Sequence, residues 1–213
     1  MITDCIEIDN PFCVATCSLD RTIVLYDLKN REALRRFARK HVTGVRKMKY
    51  MKNFGGMIIS TGFEIFANVW GPQNLFGNAH LGRLKGHKNP ICGVDVIQER
   101  PFVFTIDNLN EVIVWDIRNF NPIQIVPGPP KNEASSHGIL AIRADMLWIY
   151  GSRFIIYDRQ EVFDESEVEV PDSDEMKVAV SAFHNQFFST ICVQTPQDLK
   201  IYSCLDGQLM VMH

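Results

Sequence analysis

His87, Thr105 and Asp107 are the residues of this 213-residue chain whose types could form a catalytic relay. A hydroxyl, an imidazole and a carboxylate together supply the nucleophile, base and orienting acid of a hydrolase. The same types can also satisfy one another as buried polar groups, a structural reading that competes with the catalytic one. The structural reading is the better one, because such residues are spread along the chain, whereas a triad needs one exposed nucleophile in a pocket. The six histidines, at 41, 80, 87, 137, 184 and 213, share no ligand spacing. The six cysteines (Cys5, Cys13, Cys17, Cys92, Cys192, Cys204) form no CxxC pair and read as buried thiols. Residues 71–82 are Gly-rich but lack the Lys of a phosphate loop, and read as a long strand connection. No enzyme activity, metal, cofactor or small-molecule substrate is expected.

Composition narrows the class. With 46% hydrophobic and 22% charged residues and a net charge of -3, the chain has the profile of a folded domain. Its longest apolar runs last five or six residues, far short of the ~18 of a membrane-spanning helix. Asp4, Glu7 and Asp9 stand where a signal peptide would be basic and then apolar. A cytoplasmic protein without membrane contact is expected.

The elements that must position these groups show a repeat. Five short aliphatic segments close on aromatic residues at 26, 70, 115, 157 and 202, separated by 44, 45, 42 and 45 residues. Around each aromatic the strand signals come in fours. In the third unit they fall at Ile91 to Ile97, Pro101 to Ile106, Glu111 to Asp116 and Pro122 to Val126. In the fifth they fall at Met176 to Ala182, Phe187 to Val193, Asp198 to Tyr202 and Gln208 to Met212, with Phe183-His-Asn as the first connection. A four-stranded antiparallel meander repeated at this period is a β-propeller blade, so an all-β fold of five visible blades is expected. Their approximate limits are 1–38, 39–85, 86–127, 128–171 and 172–213.

Gly86-His87, followed 28 residues later by Trp115-Asp116, resembles the signature of the WD-repeat propellers, and Ser18 to Asp27 is similar to that family's second turn and third strand. Unit 2 departs from it, with Lys40-His41 and Trp70-Gly71, and three units carry Tyr for Trp. The resemblance implies a hydrogen-bonded network of His87, Thr105 and Trp115, with Leu109 standing where unit 1 has Asp20, so that Asp107 must substitute. It also marks Asp116, Ser18, Asp20, Tyr26, Trp70, Tyr157 and Tyr202 as blade-network positions. Five units would leave a seven-bladed ring open, so the chain is expected to be part of a longer polypeptide, a larger ring or a double propeller, with closure as a five-bladed ring as the alternative. Isolated, it is expected to associate through its open ends. The stretch from Leu84 to Gln124 resembles large ciliary and axonemal WD-repeat proteins, some of which carry EF-hands. That implies a structural scaffold in a large complex, with microtubules among its partners. The alternative is a substrate receptor of a cullin-type ubiquitin ligase, since Trp115-Asp116-Ile117-Arg118 resembles the box whose Arg contacts the adaptor.

Charge is segregated. Residues 31–52 hold nine of the 22 Lys and Arg, among them Arg35, Arg36, Arg39, Lys40, Arg46 and Lys47, against the single acid Glu32. Residues 161–175 hold eight acids and no base, with Ser166 as a candidate phosphorylation site. The basic segment is expected to contact an acidic protein partner. No aromatic stacking platform accompanies it, so specific nucleic-acid recognition is not expected.

Overall fold

The computed structural model describes residues 1–8, 13–37, 39–73, 78–126, 136–143, 146–151, 155–158, 167–168, 181–185, 190–194, 197–203 and 209–212. They form five four-stranded antiparallel meanders. Blade 1 is β1 (Ile2–Ile8), β2 (Cys13–Ser18), β3 (Ile23–Asp27) and β4 (Glu32–Arg36). Blade 2 is β5 (Val45–Met51), β6 (Met57–Gly62), β7 (Phe66–Trp70) and β8 (His80–Lys85). Blade 3 is β9 (Ile91–Val96), β10 (Phe102–Asp107), β11 (Val112–Asp116) and β12 (Asn121–Val126). Blade 4 is β13 (Ser136–Arg143), β14 (Met146–Gly151), β15 (Ile155–Asp158) and β16 (Glu167–Val168); blade 5 is β17 (Ser181–Asn185), β18 (Thr190–Gln194), β19 (Leu199–Ser203) and β20 (Leu209–Met212). The first strands touch in succession, β1 with β5, β5 with β9, β9 with β13 and β13 with β17, so they line the axis of a β-propeller arc.

Burial explains why these residues become these strands. β2 alternates, with Cys13, Ala15 and Cys17 inward, whereas β6, β9 and β11 are buried at every position because a neighbouring blade covers each face. β4 and β12, outermost in their sheets, are largely exposed. One apolar core fills the space between blades 1 and 2, around Ile23, Leu25, Met48, Ile58 and Trp70. A second fills the space between blades 2 and 3, around Ile59, Val69, Leu84, Val94 and Trp115. Side chains stitch the seams: the Thr3 hydroxyl donates to the Val45 carbonyl (2.6 Å), the Met48 amide donates to the Asp4 carboxylate (2.8 Å), and Lys49 pairs with Asp95 (2.9 Å).

Two expectations are corrected. The first strand of blade 5 is β17, and Phe183, His184 and Asn185 lie inside it, paired with Cys192, Ile191 and Thr190. Polar His-Asn suggested a turn, but the register continues the ladder through it; residues 176–180 lie outside the described set. Cys5 is exposed, because on β1 it shares with Thr16 the sheet face turned away from blade 2. Cys13, Cys17, Cys92 and Cys192 are buried, and burial pushes the Cys17 thiol up to about 11 and the Cys92 thiol up to about 12.

Meander topology sorts the connections onto two faces of the arc. Those after β2, β4, β6, β8 and β10 reach one face, here called upper, and those after β1, β3, β5, β7, β9 and β11 reach the lower. His41, Glu64 and His87 lie on connections of the upper one.

Candidate functional site: two buried polar clasps

In blade 3 the Trp115 indole donates to the Thr105 hydroxyl (2.7 Å), and that hydroxyl lies 2.7 Å from His87 Nε2. His87 Nδ1 faces Asp107 at 3.5 Å and Glu111 at 4.0 Å, without a hydrogen bond of ordinary geometry. Asp107 does take the acid position that Leu109 leaves vacant. Its oxygens also close the β10–β11 turn, accepting the amides of Leu109 (2.9 Å) and Glu111 (3.0 Å) and the Asn89 side chain (3.1 Å). Burial alone would raise this carboxyl; His87, Asn89 and the two amides outweigh it and hold it below the usual carboxylate range. A Cβ on Gly86 would lie 3.0 Å from the Trp115 ring, so a larger residue before His87 would press on that ring by a few tenths of an ångström.

Blade 2 carries a more complete clasp that the sequence reading passed over. The Trp70 indole donates to Ser60 Oγ (2.7 Å), Ser60 lies 2.8 Å from His41 Nε2, and His41 Nδ1 lies 3.0 Å from Glu64. A His41 with its proton on Nδ1 satisfies this chain: indole to hydroxyl, hydroxyl to imidazole, imidazole to carboxylate. Asn68 extends it, its amide reaching His41 Nε2 (3.1 Å) while its carbonyl accepts from His80 (2.9 Å) and Arg83 (3.1 Å). Glu64 further accepts the Val42 and Thr43 amides and the Thr43 hydroxyl, each at 2.8 Å. Burial would raise Glu64, but the His41 and Thr43 hydrogen bonds prevail and bring it down to about 2. Counting gave a signal for these residues: Ser60 stands 10 before Trp70 as Thr105 stands 10 before Trp115, and Glu64 stands 6 before Trp70 as Asp20 stands 6 before Tyr26.

Ser60, His41 and Glu64 are linked in the order of a hydrolase relay, yet the setting withholds the chemistry. Ser60 is 0% exposed and its oxygen is already held by an indole, so no carbonyl can be attacked there. His87, Asp107 and Glu111 offer atoms within 4.8 Å of one another, the one such grouping among the described residues. The Asp107 oxygens are already committed to three donors, so the arrangement serves as an acid–histidine pair.

Other expected site residues fall elsewhere. Trp70 packs toward blade 1 and Trp115 toward blade 2, so each clasp ring is covered by the preceding blade. Tyr26 points the corresponding way from blade 1, where no described sheet covers it, and is 36% exposed. Ser18 and Asp20 therefore build only their own turn: Ser18 Oγ accepts the Asp20 amide, and Asp20 accepts the Thr22 amide and hydroxyl. Tyr157 stands on β15 opposite Leu147, and Tyr202 is buried on β19. Asp116 does not join the clasp but grips Arg118, whose guanidinium donates to both of its oxygens (2.6 to 3.1 Å). The box Trp115-Asp116-Ile117-Arg118 is thus a self-contained turn, which gives the ligase-receptor reading no support. Arg118→Ala is expected to shift the thermal melting midpoint little, since the Arg118 side chain is exposed and an ion pair with an exposed partner is screened by solvent.

The basic residues are divided. Arg35 and Arg36 lie on the outer strand β4, Arg39 and Lys40 on the upper connection to blade 2, and Arg46 and Lys47 on the inner strand β5. The acidic residues 161–166 and 169–175, with Ser166, lie outside the described set.

No family model matches the chain. It is 29% identical over 126 residues to cilia- and flagella-associated protein 337 B of Tetrahymena thermophila; the match covers 58% of this chain and 10% of that protein. A chain in the crystal structure of the mitotic checkpoint complex superposes with a TM-score of 0.79 at 16% identity, covering 99% of this chain and 64% of that one. The structural likeness carries the fold alone: the chain is a β-propeller arc of four-stranded antiparallel blades.

Proposed function

We propose that the protein is a non-enzymatic protein-interaction scaffold of a large assembly, and that the assembly is the ciliary axoneme. The observation that carries the scaffold reading is the burial of both reactive-looking constellations, which leaves loops, faces and rims as the working surface. The likeness to a cilia- and flagella-associated protein supports the ciliary setting. Fractionation of axonemes into membrane-matrix and salt-extracted pools tests it: the protein is expected in the axonemal pool, and recovery in the matrix alone overturns the axonemal placement. Within this reading, Arg35, Arg36, Arg39 and Lys40 contribute an electropositive contact to acidic partners such as microtubules. Reversing all four to Glu is expected to weaken microtubule co-sedimentation while leaving the fold intact. Binding by the unaltered chain should fall steeply as salt rises toward ~0.15 M, where the screening length is about 8 Å.

A further inference from the structure

Large apolar side chains stand in solvent along the upper face of blades 1 to 3. They are Leu19 (41% exposed), Val42 (70%), Phe63 (49%), Ile65 (48%) and Leu109 (39%), and each lies on a connection that ends on that face. A belt of contacts joins these connections across both seams. Gly44 packs against the Leu19 backbone, the Phe63 amide donates to the Thr43 hydroxyl (3.2 Å), and Glu64 takes the Val42 and Thr43 amides (2.8 Å each). The Ile91 amide then donates to the Glu64 carbonyl (2.9 Å), and the Asn108 amide to the Pro90 carbonyl (3.0 Å). The apolar groups are therefore displayed on loops already ordered, so a ligand need not supply the entropy of fixing them.

The charges around them have one predominant sign. Arg21 and Arg39 are exposed on the same connections, Lys88 is exposed on the β8–β9 connection at the same face, and the Arg46 guanidinium lies 4.9 Å over the Phe63 ring. Of the acids at this end, Glu64 and Asp107 are buried, Glu111 is half-buried, and the exposed Asp20 is held by the Thr22 amide and hydroxyl. Exposed apolar groups rimmed by polar ones mark an interaction site, and cations of one sign select an anionic occupant.

We propose that the upper face of blades 1 to 3 docks an acidic polypeptide segment bearing large apolar side chains, with Phe63 and Ile65 as the apolar anchors and Arg46 as the carboxylate partner. The proposal rests on the scaffold reading and adds to it the surface and the chemistry of the partner. A phosphate backbone would satisfy the cations but leave the apolar anchors in water.

The probe is a random copolymer of glutamate and tyrosine, with polyglutamate as the comparison, titrated against the full chain by calorimetry. The copolymer is expected to bind at least about tenfold more tightly than polyglutamate, and Phe63→Ala or Arg46→Glu to weaken it about tenfold, the usual effect of losing one anchor. Ile123→Ala, on the outer strand of blade 3, is expected to change nothing; melting curves check that all three variants fold. Equal binding of the two polymers, no loss in Phe63→Ala, or an equal loss in Ile123→Ala overturns the proposal. A photo-crosslinking residue placed in cells at position 63 or at position 123 separates this proposal from the broader one. Protein adducts from 123 alone overturn the face and leave the scaffold reading standing, whereas adducts from neither position overturn both.

Discussion

Trp115→Ala is expected to destabilise the chain by about 3–5 kcal/mol, the cost of emptying a core site of an aromatic ring. The ring is 0% exposed, sits in the core between blades 2 and 3, and its indole is the donor that fixes the Thr105 hydroxyl. Truncation leaves a cavity and also removes the first link of the clasp, so the His87 imidazole loses its fixed partner geometry. Trp70→Ala should behave alike, since Trp70 is 1% exposed and bonds Ser60 in the same way. Urea unfolding followed by circular dichroism checks both. A variant with unchanged stability would mean that the ring is not in the blade interior.

Glu64→Ala is expected to cost about 3 kcal/mol, because it strips the acceptor from buried His41 and from the 42–43 connection at once. Acid should reproduce part of this loss. The carboxyl is held at about 2, against an unfolded value of 4.5, so its contribution is fully present above about pH 4.5 and is lost as the pH falls toward 2. Urea midpoints measured from pH 6 downward should therefore drop in that window, and Glu64→Gln should flatten the drop without abolishing the fold. An identical pH slope in that variant would assign the acid sensitivity to other carboxylates.

The contrast between the two clasps shows what the sequence could reveal. The period of the aromatics and the strand grammar around them were enough for an all-β propeller, and the structural likeness bears that out. The blade 2 clasp was harder to see, because Lys40 replaces the Gly before His41, Gly71 replaces the Asp after Trp70, and Glu64 replaces the Asp of the turn. Its chemistry survives these changes, since a hydroxyl, an imidazole and a carboxylate at the right offsets suffice. The role of Tyr26 was illegible for another reason. Whether a clasp ring is buried depends on the blade before it, and no pattern inside one unit records that neighbour. The β17 boundary was lost to pairing register, which overrode the turn preference of His184 and Asn185.

The seams have a mechanical consequence. Within each blade, strands are joined by rows of backbone hydrogen bonds that resist shear together. Between blades, apart from the apolar cores, the joints are scattered polar pins: Thr3 to Val45 and Asp4 to Met48 between blades 1 and 2, and between blades 2 and 3 the Lys49–Asp95 pair, the Ile91 amide on the Glu64 carbonyl and a clip in which Gln98 grips the Lys52 amide and the Tyr50 carbonyl. Such an arc is stiffer within each described blade than across the seams between blades. Under a bending load it would flex and finally part at the pins, one wedge from the next, while each wedge kept its shape.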